Sequence, residues 1–136
     1  MIIADTNLIG YLFIDCERTF AAEQVWELDP QWLMPPLWRS EFLNVLTTGV
    51  KAMVLTEQQA VVLWWKACEL FPRNDQEPRG DEVLRTAIER GISAYDAHFI
   101  ALAVDLGIPL VTADKDLVRR CSDVAVSIEQ FVRSDP

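Results

Sequence analysis

Two short, unbroken apolar runs, each followed closely by an aspartate, constrain this chain more than any other feature. The first is Ile2-Ile3-Ala4, closed by Asp5; the second is Leu110-Val111-Thr112, followed by Ala113 and Asp114. Apolar runs without alternation suit strands covered on both faces, as in a parallel sheet. Residues 32–34, ahead of Pro35-Pro36, and residues 124–128 read the same way. Between these runs the pattern turns helical. Helices are expected at 7–13, at 16–28 and at 37–50, the last with Trp38, Phe42, Val45, Leu46 and Gly49 on one stripe. Thr56 with Gln59 forms a capping-box signature for a helix ending near Phe71. Residues 72–80 are polar and rich in breakers, which predicts a loop. Asp81 is expected to cap a helix that buries Val83, Leu84, Ala87 and Ile88 and stops at Gly91. Ser93 opens another, which stops at Gly107. Strands alternating with helices predict an α/β fold with a central parallel sheet and helices on both faces. The length, 136 residues, suits one domain over 1–136.

Composition narrows the class further. Half of the chain (51%) is apolar, so a disordered tail is excluded. No apolar run approaches the ~20 residues of a membrane span, and residues 1–5 lack the basic start of a secretory leader. A soluble, cytoplasmic protein is therefore expected. Cys16, Cys68 and Cys121 are scattered and contain no C-x-x-C pair, so they are read as small core hydrophobes. His98 is the one histidine, which excludes a His-rich zinc site. Twelve basic against twenty-one acidic residues leave a net charge of −9. Phosphate binding ordinarily leaves a basic footprint, so this charge argues against nucleic acid unless several acids converge on a cation.

Those acids each carry two readings. Asp5 follows the first strand, where open α/β sheets gather ligands, and it is equally placed to cap the next helix. Asp114 and Asp116 follow the Leu110–Thr112 run with the same ambiguity. Asp96 shares a helical face with Ile100, Ala103 and Gly107, and it stands three residues after Ser93 as a capping partner would. His98, about 200° round that helix from Asp96, is read as structural or peripheral. Glu41 flanks the apolar stripe of the 37–50 helix, and Asn44 points the same way one turn on. As a set these carboxylates are stronger evidence than any one of them. Crowded acids raise one another's pKa unless a cation holds them. All-oxygen ligation selects a hard ion, Mg²⁺ or Mn²⁺, which is suited to phosphodiester hydrolysis.

At these residues the sequence resembles the PIN-domain ribonucleases, most closely the VapC-type toxins of bacterial toxin–antitoxin pairs. The similarity is carried by Ile2-Ile3-Ala4-Asp5-Thr6-Asn7 and Ser40-Glu41-Phe42-Leu43-Asn44-Val45-Leu46. It continues through Tyr95-Asp96-Ala97-His98-Phe99-Ile100-Ala101-Leu102-Ala103 and Leu110-Val111-Thr112-Ala113-Asp114-Lys115-Asp116-Leu117. The resemblance implies a three-layer PIN-like fold. It also implies a catalytic, metal-binding quartet of Asp5, Glu41, Asp96 and Asp114, with Asp116 as an auxiliary metal-site acid. Thr6, Asn7 and Thr112 would be supporting polar groups. The implied activity is Mg²⁺- or Mn²⁺-dependent endonucleolytic cleavage of single-stranded RNA (tRNA, rRNA or mRNA). The implied partners are a second copy of the chain and a VapB-type antitoxin. Arg39 and Lys115, next to the acids in sequence, are candidate RNA contacts.

Rival readings remain. A metal-dependent phosphatase would want Asp5 as nucleophile and an aspartate two residues later, where this chain has Asn7. A phosphoacceptor receiver would want adjacent acids after the first strand. A non-catalytic PIN-like module binding RNA or protein is the rival of a different class. Trp64-Trp65 cannot both face inward on a helix, so one is expected at an interface. Trp26, Trp32 and Trp38 are expected in the core or at its rim.

Overall fold

The computed structural model describes residues 1–134. Four strands, β1 (Ile2–Ala4), β2 (Trp32–Leu33), β3 (Leu110–Thr112) and β4 (Ala125–Ser127), form one parallel sheet in the order β2-β1-β3-β4. Every residue of β1 and β3 is buried, which explains why these strands read as continuous apolar runs. The eight helices among the described residues are α1 (Thr6–Phe13), α2 (Thr19–Leu28), α3 (Leu37–Lys51), α4 (Glu57–Leu70), α5 (Gly80–Arg90), α6 (Ala94–Leu106), α7 (Lys115–Arg120) and α8 (Ile128–Arg133). The chain leaves β1 in one direction toward β2 and returns past it to β3. Right-handed crossovers therefore put α1 and α2 on one face of the sheet and α6 and α7 on the other. Helix α8 packs against α2 and completes the first layer. The expected α/β sandwich with helices on both faces is the one observed.

An aromatic knot fills the β2 side. Phe71 stacks on Trp32 at 5.9 Å and meets Trp26, Trp38 and Phe13 edge-on. Residues 74–76 lie along the β2 edge. Met34 N–H donates to the Asn74 carbonyl and Gln76 N–H to the Met34 carbonyl, while Asn74 Nδ2 donates to the Trp32 carbonyl. These bonds cover backbone that an open strand edge would leave unpaired.

Several local expectations need correction. Helix α5 starts at Gly80, with Arg79 rather than Asp81 at its cap position. Its contact face is Val83 and Ala87 against Ala97 and Ala101 of α6; Leu84 and Ile88 lie about 100° round the helix and are exposed. Only Cys121 is buried, and Cys16 is exposed, because residues 16–18 form a turn ahead of α2 rather than its first turn. The run 124–128 is divided by Ser127, whose side chain caps α8 through a capping box with Gln130.

Candidate active site

The sheet order reverses between β1 and β3, and a crevice opens at their carboxyl ends, where α/β sheets bind ligands. Asp5 follows β1 and Asp114 follows β3, while Glu41 comes from α3 and Asp96 from the first turn of α6. These four acids border a single cleft of 510 Å³ with Thr6, Asn7, Ser40, Asn44 and Tyr95. Among the described residues no Lys or Arg lines it.

A polar lattice seats the acids. The Thr112 hydroxyl donates to Asp5 Oδ2 at 2.6 Å and accepts the Asp114 N–H at 3.0 Å and Asn7 Nδ2 at 3.3 Å, which uses its one proton and both lone pairs. Asp5 Oδ1 accepts the Thr6 N–H at 2.8 Å. The Thr6 hydroxyl donates to Glu41 Oε1 at 2.8 Å, and Asn7 Oδ1 accepts the Ala113 N–H. The consecutive residues Asp5, Thr6 and Asn7 thus join the ends of β1 and β3 to α3. Asp114 also caps α7 by accepting the Asp116 and Leu117 amides on Oδ1. The capping and site-forming readings of Asp114 are therefore compatible.

The electrostatics are those of uncompensated negative charge. Burial pushes the Asp5 carboxyl up to about 6, against the Thr112 and Thr6 hydrogen bonds, and Glu41 and Asp96 add to the rise. Glu41 is raised by burial, with Asp96 adding to it against the Thr6 hydrogen bond and the positive form of His98. Burial also raises Asp96, with a contribution from the Asp114 charge. Such a set favours either protonation or a cation. Among the described residues no three His, Cys, Asp or Glu side chains stand together closely enough to hold an ion as placed. The donor chemistry is nonetheless that of a hard divalent ion: oxygen only and anionic, with Asp5 buried, Glu41 and Asp96 half-buried, Asp114 exposed at the mouth, and no basic side chain among the described residues in the lining.

Other expected site residues are not brought into the cleft. Asp116 pairs with Arg119 and Arg120, one turn on along α7, and these ion pairs hold its carboxyl below the usual range. It stands outside the cleft lining, and its charge adds to the rise at Asp96. Arg39 lies over the Trp38 ring and pairs with Asp75, so its charge is spent on the loop along the β2 edge. Lys115 lines a separate depression with Arg18, Ser127 and Glu129. His98 Nδ1 lies 2.6 Å from the Ala94 carbonyl, a structural contact. Ser40 and Tyr95 were not singled out by sequence reasoning; the only signal was adjacency to Glu41 and Asp96.

A four-strand parallel sheet with an acidic cleft at its switch point defines the chain as an α/β protein with an all-carboxylate site. The PIN domain profile matches residues 2–122, and the chain belongs to the PIN domain family. A relative from Pyrobaculum aerophilum, named Exonuclease VapC9, is 41% identical over 57 residues. That match spans 42% of this chain and 42% of the relative's length. The crystal structure of PAE2754 from the same organism superimposes with a TM-score of 0.77 at 24% identity, covering 98% of this chain and 96% of that one. It shares the fold.

Proposed function

We propose that this chain is a Mg²⁺- or Mn²⁺-dependent endoribonuclease that cleaves single-stranded RNA, and that it is the toxin of a VapBC-like toxin–antitoxin pair. The carrying observation is the convergence of Asp5, Glu41, Asp96 and Asp114 on one cleft without a basic residue to neutralise them. Membership of the PIN domain family and the partial match to a protein named as a VapC exonuclease support the same reading.

The four carboxylates would hold the ion, which supplies Lewis acidity toward a phosphate and acidifies water. The chain's own part is positional. Thr112 and Thr6 fix the Asp5 carboxylate through both of its oxygens. Thr6 also fixes one oxygen of Glu41, and Asn7 locks the β1 and β3 ends together. Asn44 and Ser40 offer neutral hydrogen bonds to a substrate on the α3 side.

For partners, an apolar groove of 410 Å³ between α3 and α4, lined by Leu43, Leu46, Val50, Val61 and Trp64, supports a homodimer or an antitoxin contact. Trp65, 61% exposed beside it, is the member of the Trp pair that faces out. No helix among the described residues is long and apolar enough to cross a membrane.

The deciding test is cleavage of cellular RNA and of a circular single-stranded RNA by wild type and Asp96→Asn, with Mn²⁺ and with chelator. Metal-dependent linearisation of the circle by wild type alone is expected. Cleavage confined to linear RNA would make the enzyme an exonuclease. Equal cleavage by Asp96→Asn would remove the acids from the mechanism, and metal binding without any cleavage would favour the non-catalytic module.

A further inference from the structure

The acids leave one part of the cleft wall unexplained. Tyr95 is the second residue of α6, immediately before Asp96, and its side chain borders the cleft while remaining 65% exposed. Its hydroxyl makes no hydrogen bond among the described residues. The other exposed aromatics, Phe20 and Trp65, lie outside this cleft. The remaining lining from α3 is neutral, with Leu37 and Val45 apolar and Ser40 and Asn44 polar.

The arginines nearest in sequence to the acids are committed elsewhere: Arg39 to Asp75, and Arg119 and Arg120 to Asp116. A polyanion entering this cleft therefore finds no guanidinium or ammonium to pair with its phosphates. A nucleobase is different. Its face is uncharged, it can approach four carboxylates without repulsion, and it stacks well on an exposed phenol ring.

Building on the ribonuclease reading, we propose that Tyr95 is a stacking platform for a base adjacent to the scissile phosphate. The cleft then takes RNA by stacking and neutral hydrogen bonds rather than by phosphate pairing. A duplex keeps its bases stacked on one another and offers no face to Tyr95, so the platform selects unpaired RNA. Placing the ring one residue before Asp96 couples recognition to the acid row.

The test uses the full chain with Mn²⁺ and a 5′-fluorescein single-stranded RNA of about 16 nucleotides, the upper site size for stacking grooves. KM and kcat are measured for wild type, Tyr95→Ala and Tyr95→Phe, with melting temperature as the fold check. Tyr95→Ala should raise KM about 5- to 150-fold, the span for one stacked base, with kcat changed less. Tyr95→Phe keeps the ring and should stay within about twofold of wild type, which a merely structural role for the hydroxyl would not give. Because log K for binding falls by about 0.7 per phosphate paired on a single strand, log KM should rise with log salt with a slope below the roughly +1.4 expected for two paired phosphates. A wild type that cleaves while Tyr95→Ala keeps its KM overturns the platform and leaves the nuclease intact. A wild type that neither binds nor cleaves the RNA overturns both.

Discussion

The Thr112 hydroxyl stands 2.6 Å from Asp5 Oδ2, donating a hydrogen bond from the end of β3 to the first residue beyond β1. It is the shortest of the contacts that hold Asp5 against the cost of burial, and it opposes the rise of the Asp5 pKa. Thr112→Val keeps the shape and removes the donor. The variant should lose about 1–3 kcal/mol of stability, the cost of leaving buried polar groups short of a partner. With the lowering bond gone, the Asp5 pKa moves further up, so the acid limb of the cleavage profile should shift to higher pH. A profile superimposable on wild type would show that Thr112 does not tune Asp5.

Asp5 also makes stability depend on pH in an unusual direction. Its folded carboxyl, raised from 3.8 to about 6, binds a proton more tightly than in the unfolded chain. Stability should therefore fall as pH rises through about 4 to 6, and remain lower above that window. In chelator, Asp5→Asn should be about 2–3 kcal/mol more favourable relative to wild type at pH 7 than at pH 4, from roughly 1.4 kcal/mol per pKa unit. Denaturant midpoints at the two pH values measure this. Adding Mn²⁺ should raise the wild-type midpoint and leave that of Asp5→Asn nearly unchanged.

Asp75 holds the segment along the β2 edge by accepting from Trp38 Nε1 at 2.9 Å and pairing with Arg39. Asp75→Ala strands a buried indole N–H and should cost about 1–3 kcal/mol. Amide exchange should quicken at Met34 and Gln76, whose bonds join the segment to the β2 edge. Cleavage should persist, because Asp75 lies outside the acidic cleft. Loss of activity in a folded variant would tie this segment to the site.

Phe71 is fully buried and touches four other rings, so it has few ways to be replaced. Phe71→Ala should destabilise by about 3–5 kcal/mol, a large share of the roughly 5–15 kcal/mol that holds an ordinary domain folded. Urea denaturation followed by tryptophan fluorescence reports it directly, since Trp26, Trp32 and Trp38 surround the void. Phe71→Leu should cost less, because much of the volume stays filled.

What could be read along the chain was what is decided locally. The runs 2–4 and 110–112 announced strands because a sheet covered on both faces demands continuous apolarity. Thr56 with Gln59, and Ser93 with Gly107, marked helix ends because capping involves only nearby residues. Arg39 was harder. Its neighbour in sequence is a site acid, but its partner Asp75 arrives from a distant segment. Asp116 was harder for the opposite reason: it has the spacing of an auxiliary acid, and it pairs with arginines one turn along α7. Leu84 and Ile88 looked buried because helical spacing finds an apolar stripe but cannot say which edge of it meets alanines on α6. The four-acid cleft itself was legible only as a set. Asp5, Asp96 and Asp114 each have a capping reading and Glu41 reads as a charge flanking an apolar stripe; Asp5 and Asp114 do serve as caps.

The bond between Thr112 and Asp5 joins residues 107 positions apart. Ribosomes release the amino terminus first, so β1 waits for β3 until synthesis has reached Thr112. A nascent chain carries Asp5, Glu41 and then Asp96 without the strand that unites them. On the proposed ribonuclease reading, the cleft that would act on RNA is thus completed only once β3 has been made.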